Sequence, residues 1–219
     1  MSAMQPTSKA FAVWLLALLG GVAAACVHAE EVPPDVLVKT VTLEVVELIA
    51  NDTDIKAGSR AKLVQLVEAK VLPHFDFGAM TALATGPAWS KATPEQKQLL
   101  TGEFRKLLVR TYTSALSAYS AQKFDFRPLR AGPNETDVTV NVRILQPGAQ
   151  PVAIDYNMEK SAQGWKAYDM AVGGISLVAN YRTEFSRRVR EAGIDGLIQD
   201  LQQKNRSLDA PKAMAGMQR

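Results

Sequence analysis

The stretch LPHFDFGAMTALATGPAW, residues 72–89, brings together two side chains suited to proton transfer. His74 and Asp76 flank Phe75, and Phe77 follows. An imidazole and a carboxylate act as a base and its orienting partner when both serve one reacting atom. Two residues apart, they share a side in a strand and diverge on a helix. Pro73 makes the local backbone irregular, so the spacing secures neither geometry. The structural alternative is that Asp76 caps a helix beginning at Phe77, with His74 at a helix end.

Asp169, between Tyr168 and Met170, is a second candidate. A carboxylate in a strand is costly to bury without a partner. It is ordinary on a solvated face and structural if Arg143 or Arg182 reaches it. It is a general base if it lies in the pocket of a cone-shaped α+β fold, with a Tyr as the acid. That last arrangement, a small-molecule enzyme, is the rival to a binding role. The sequence contains no Gly-x-Ser-x-Gly elbow, metal-ligand cluster or phosphate-binding glycine loop.

The N-terminal residues reduce the chemistry further. Lys9, the apolar run Ala10 to Ala25 and the small-residue site Val27-His28-Ala29 before Glu30 read as a secretory leader over residues 1–29. The run is shorter than the ~20 residues of a membrane span. Ala23-Ala24-Ala25 before Cys26 also suggests lipoprotein processing, but such sites usually carry Leu where this chain has Ala23. Cleavage after Ala29 removes the single Cys and one of the two His. The mature chain then has no disulfide, thiol nucleophile or Cys/His zinc site. The net charge is +3 with no basic block, so nucleic acid is not suggested.

The elements that must hold these residues follow from periodicity. Pro33-Pro34-Asp35 starts a helix with Val38, Val41, Val45, Leu48 and Ile49 at helical spacing. A second helix is predicted over about 57–71, with Leu63, Val67 and Val71 on one face, ended by Pro73. A third spans about Phe77 to Ala84 and breaks at Gly86-Pro87. Thr93, Pro94 and Gln96 form a capping box for a long amphipathic helix. Leu100, Phe104, Leu108, Tyr112 and Leu116 line one side of it.

The period then changes. KFDFRPL alternates weakly. DVTVNVRIL alternates strictly, with Val138, Val140, Val142 and Ile144 on one face. After Pro147-Gly148 come Val152, Ile154, Tyr156 and Met158, and then Tyr168, Met170 and Val172 in a fourth strand. Four strands with short links predict an antiparallel meander with one apolar face. Ser176 opens a helix closed by Gly193, and a short last helix runs toward Asn205. The prediction is one α+β domain over residues 30–205 and a tail over 206–219. The apolar helix side and the apolar strand face either meet as a core or, where the sheet curves away, leave a cavity between them.

LPHFDFGAMTALATGPAW, ATPEQKQLLTGEFRKLLVRTY, GWKAYDMAV, and GISLVANYRTEF followed by GIDGLIQDLQQKN resemble the MlaC, or toluene-tolerance, family of periplasmic lipid-binding proteins. The likeness covers about Leu72 to Asn205 and, more loosely, the rest of the mature chain. It departs at Gly173-Gly174, where an acidic residue is expected before the Gly-x-Ser. The resemblance implies a curved four-stranded antiparallel sheet, cystatin-like, packed with helices around a deep apolar cavity. It implies phospholipid as the bound ligand, no cofactor and no catalysis. The implied partners are an outer-membrane lipoprotein–porin complex of the MlaA type and an inner-membrane ABC transporter with a lipid-binding ring of the MlaD type. The chain is then an auxiliary component of that transporter, monomeric and periplasmic, serving outer-membrane lipid asymmetry.

The residues expected to touch lipid come from several elements. They are Phe77 and Met80 of the third helix, and Phe104, Leu108, Tyr112 and Leu116 of the long helix. From the strands come Val140, Val142, Ile144, Ile154, Tyr156, Met158, Tyr168, Met170 and Val172, with Ile175 and Tyr181 beyond them. The expected mature N-terminus is Glu30, read from the intact mass of exported protein. A chain starting with an acylated Cys26 would overturn a freely diffusing carrier.

Overall fold

The computed structural model describes residues 32–119, 122–132 and 134–209. The leader, Cys26 and the chain after Asp209 lie outside the described residues. Helix α1 (Pro34–Asn51) begins with Pro at its first position and Asp35 in its first turn. Asp52 then accepts from the Asp54 and Ile55 amides at 2.8 and 2.9 Å and caps the short α2 (Thr53–Lys56). The second long helix starts later than predicted, as α3 (Arg60–Lys70). Gly58, at φ 93°, breaks the helical path first, and Ser59 caps the new start.

A 3₁₀ turn at Leu72–His74 leads into α4 (Phe77–Thr85). Asp76 accepts from the Ala79 amide at 2.8 Å, so its carboxylate is used as a helix cap. Helix α5 (Pro94–Tyr119) has the reciprocal bonds of a capping box. The Thr93 amide donates to Gln96 at 3.1 Å, and the Gln96 amide donates to Thr93 at 3.2 Å. Helix α6 (Leu177–Asp209) is two helical segments joined at Gly193, where φ is 71°. Its second segment passes Asn205 and runs on to Asp209. Asn205 is buried there and donates to the Glu103 carbonyl and carboxylate at 2.9 and 2.7 Å, tying α6 to α5.

Strands β1 (Lys123–Phe126), β2 (Asp137–Leu145), β3 (Val152–Ser161), β4 (Gly164–Val172) and β5 (Ile175–Ser176) form one antiparallel sheet in that order. The fifth, two-residue strand adds to the four predicted. Gly173 and Gly174, at φ 58° and 82°, form the two-residue loop that lets Ile175 pair with Val172. Positive φ at both positions is the signature of a type I′ hairpin turn, and glycine adopts it without steric cost.

The predicted alternation of β4 is broken by a β-bulge. Met170 pairs with Tyr156 and Asp169 with Asn157, but Met158 pairs with Ala167. Tyr168 is the extra residue. A bulge offsets every side chain beyond it by one position. Ala167 therefore shares the apolar face with Met170, and Tyr168 leaves it to donate to the Asp137 carboxylate at 3.0 Å. The opposite face is polar. Asn141 donates to Asp155 at 2.7 Å and Thr139 to Asn157 at 2.9 Å across the strands.

Three cores hold the layers. Phe104 meets Tyr181 and Phe185 edge-on, both with centroids 5.1 Å away, in a cluster joining α4, α5 and α6. Val45, Ile49, Ile55 and Leu63 join α1 to α2 and α3. Val38 packs with Val138, Val140, Val142, Met158 and Trp165 of the sheet. Asp169 locks the sheet to α6. Its buried carboxylate accepts from the Ser176 hydroxyl at 2.6 Å and the Val178 amide at 3.1 Å, while Ser176 caps the helix through the Ala179 amide at 2.9 Å. Asp169→Ala is expected to destabilise the protein by about 2 kcal/mol, because it leaves a buried donor unmet. Urea unfolding measures this, and a loss under about 0.5 kcal/mol, within the range of neutral surface changes, would contradict the locking role.

Candidate functional site

The α4–α5–α6 core and the sheet-side core share Phe75, which packs against both. Between the three cores, under the apolar face of the sheet, lies a cavity of about 460 Å³, within the ~300–1,000 Å³ typical of ligand pockets. Helix α1 contributes Leu37, Val38, Val41, Thr42, Val45, Val46 and Ile49. Helix α5 contributes Leu108, Val109, Tyr112, Thr113 and Leu116. The sheet contributes Phe124, Ile144, Val152, Ile154, Tyr156, Met158, Ala167, Met170, Val172 and Ile175. The remaining wall is Val67, Val71, Leu72, His74, Phe75, Phe77, Met80 and Leu177. No Asp, Glu, Lys or Arg is among these residues. Ile175 lines the cavity and is also 66% exposed, which marks the rim where the cavity meets solvent.

Of the residues singled out from the sequence, Phe77, Met80, Leu108, Tyr112, Leu116, Ile144, Ile154, Tyr156, Met158, Met170, Val172 and Ile175 line this cavity. Five do not. Phe104 and Tyr181 belong to the α4–α5–α6 core, one turn or more past the cavity wall. Val140 and Val142 are sealed in the sheet-side core with Phe126 and Leu129 packed against it. Tyr168 is turned away by the bulge. Helix α1 is a wall that the periodicity of the strands and of α5 does not reveal. A signal was present: Val36, Leu37, Val38, Val41, Leu43, Val45, Val46, Leu48 and Ile49 are too many apolar residues for one buried stripe.

The titratable groups of the site are few. His74 is half-buried, and burial holds its imidazole below the ordinary value, with the Lys166 charge adding to that and Glu44 opposing it. Lys166 itself donates to the Pro73 carbonyl. Burial pushes the Tyr156 phenol up to about 12. Tyr181, next to the cavity, is raised to about 12 by burial and then by its neighbour Tyr112. Burial, then the hydrogen bond to Asp137, raises Tyr168 to about 12. At neutral pH these phenols are protonated donors. Asp76 and Asp169 are both spent on helix starts outside the cavity. Among the described residues the cavity brings no carboxylate to His74 or to a Tyr, and Asp169 is engaged by Ser176 and Val178 rather than by a Tyr. Among the described residues, no group of three or more His, Cys, Asp or Glu is placed to hold a metal, and no helix is long and apolar enough to cross a membrane.

An antiparallel sheet and helices held apart around an uncharged apolar chamber define an α+β binding protein for an apolar ligand. The chain belongs to the MlaC family, whose profile, described as MlaC protein, matches residues 39–203. It is 25% identical over 160 residues to the intermembrane phospholipid transport system binding protein MlaC of Haemophilus influenzae, covering 72% of this chain and 74% of that protein. It is 26% identical over 168 residues to the toluene tolerance protein ttg2D of Pseudomonas putida, covering 76% and 77% of the two chains. Among solved structures it is similar to a phospholipid-binding protein from Ralstonia solanacearum in complex with a phospholipid. That match has a TM-score of 0.75 and 38% identity, and covers 80% of this chain and 98% of the other.

His74 gives the site a pH test. Its folded-state pKa lies below the unfolded value of about 6.5. The unfolded chain therefore binds the proton first as pH falls. The contribution of neutral His74 to stability is complete above about pH 6.5 and is lost as pH drops from there toward the folded pKa. The parent protein is expected to lose more melting temperature than His74→Gln over that window. Parallel melting curves for the two proteins would contradict the placement of the imidazole.

Proposed function

We propose that this protein is a periplasmic phospholipid carrier that holds acyl chains in the cavity and shuttles lipid between the two membranes. The observation that carries the reading is the uncharged chamber of about 460 Å³ with its rim at Ile175. The names of the Haemophilus and Ralstonia relatives support it, since the first is a binding protein of a phospholipid transport system and the second is a complex with a phospholipid. The cavity-lining residues named above are the lipid contacts. Phe104, Val140, Val142 and Tyr181 support that wall from behind, and Tyr168 lies off it. The partners in this reading are an outer-membrane lipoprotein–porin complex of the MlaA type and an inner-membrane transporter with an MlaD-type ring. The carrier works as a monomer, uses no cofactor and performs no covalent chemistry.

Burying a methylene away from water is worth ~0.8 kcal/mol, in a pocket as in a bilayer. Transfer from membrane to pocket is therefore close to balanced, while escape through water costs that amount for every methylene exposed. A carrier of this kind loads and unloads by docking. Small differences in docking free energy then set the direction of net flow.

Phospholipid is expected in an organic extract of the purified protein, identified by mass spectrometry. Stripping it should lower the melting temperature, because a ligand bound only by the folded state stabilises that state. Ile154→Glu puts a carboxylate on the apolar wall and should reduce bound lipid by on the order of tenfold or more. Lys97→Glu, at a cation that sits over Trp89 outside the cavity, should leave the lipid in place. Lipid-free protein from cells, with a melting temperature unmoved by added phospholipid, would sink the carrier reading.

A further inference from the structure

We propose that Met80 closes the deep end of the cavity and thereby sets the length of acyl chain the protein accepts. This rests on the carrier reading above. The cavity has a direction that can be read from the sheet register. Ile175, the exposed rim residue, pairs with Val172, and Val172 pairs with Ile154. Ala167 and Met158 pair with each other at the other end of the same apolar face. From Val172 to Ala167 the strand covers roughly 15 Å.

The deep end is built on that far pair. Phe75 bridges to Ala167, and the Asp76 amide donates to the Ala167 carbonyl at 2.9 Å. Phe77 stacks on Phe75 with centroids 6.0 Å apart, and Met80 follows one turn later on α4. Opposite, α5 runs from Leu108 at this end toward Leu116, a rise of about 12 Å. Helix α5 ends at Tyr119 and β1 starts four positions later at Lys123, which pairs with Leu145 at the rim end of the sheet, so the Leu116 end of α5 lies toward the rim. A straight chain advances roughly 1.3 Å per methylene, from C–C bonds of about 1.5 Å. About ten methylenes therefore fit between rim and floor.

Met80 is the floor residue with a reserve of space to control. It is 1% exposed, lines the cavity, and packs on its other side into the core of Ala84, Leu100 and Phe104. It forms a partition between the cavity and a close-packed core. Its unbranched thioether is adaptable, so it can seat against a chain end of varied shape. Phe77 is less suited to this role, because its ring reaches the surface, where Arg105 lies over it at 5.9 Å.

The test loads refolded, lipid-free protein from vesicles holding equal amounts of phosphatidylglycerols that differ only in acyl length. Bound lipid is then read by mass spectrometry. Met80→Ala removes Cγ, Sδ and Cε and should let the bound lipid grow by about two methylenes in all, the room the deleted atoms leave. The ratio of longer to shorter lipid should then rise on the order of tenfold. Met80→Phe should move it the other way. Leu83→Ala, on the exposed side of the same helix, should match the parent. If Met80→Ala fails to fold, Met80→Phe and Met80→Leu decide the matter by the same ratio. Parent and folded Met80 variants with one length profile would overturn the floor role while leaving the carrier reading intact. A parent that takes up none of the lipids would overturn the carrier reading itself.

Discussion

The apolar face of the sheet, from Phe124 through Ile144 and Ile154 to Met170, has to be kept from water without being covered by side chains. A helix packed directly on it would fill the cavity, and an open face would invite association or collapse. The fold meets both demands by standing its helices off the sheet. Helix α1 leans on α2 and α3 at one end, through Val45, Ile49 and Leu63, and on the sheet at the other, through Val38. Helix α5 is held from behind by Phe104 and Leu100 against α4 and α6. The two helices bridge the sheet as walls, and the space beneath them stays open because close packing is satisfied elsewhere.

Charges are arranged to serve that space from outside. Among the described residues none lines the cavity, and the polar side chains there are Thr42, His74, Tyr112, Thr113 and Tyr156. The acidic residues that a catalytic reading would use are committed to backbone. Asp76 starts α4 and Asp169 starts α6, each beside a segment that shapes a wall. A buried carboxylate is stable when backbone amides and a hydroxyl meet its oxygens, and Asp169 has both. The same bonds that exclude it from chemistry anchor Leu177, itself a wall residue, next to the end of the sheet.

The bulge at Tyr168 shows how a local irregularity shapes the site. With regular alternation, the rim side chains Met170 and Val172 would require Tyr168 to point inward, bringing its hydroxyl into an apolar chamber. The inserted residue places Ala167, a small side chain, beside Met158 instead and sends the phenol out to Asp137. The small residue leaves room for Phe75, which bridges to Ala167 and carries the α4 segment into position. The deep end of the cavity follows from that single register shift.

Local signals in the chain were enough for most elements. The Thr93–Gln96 capping box, the cap at Asp76, the stop at Gly193 and the strict alternation of β2 depend on neighbours within a few residues, so periodicity and side-chain chemistry determine them. The α+β class and the apolar face of β2 and β3 follow from the same local pattern. Which apolar residues line a cavity and which fill a core is another matter. Leu108 and Phe104 are one helical turn apart with the same chemistry, yet one borders open space and the other is packed by Tyr181 and Phe185. The role of α1 as a wall, the bulge that expels Tyr168 and the engagement of Asp169 by Ser176 and Val178 all depend on partners distant in the chain or in a neighbouring strand. Hydrophobic burial has no direction, so periodicity shows only that a face is covered. What covers it, side chain or empty space, is decided when the layers meet.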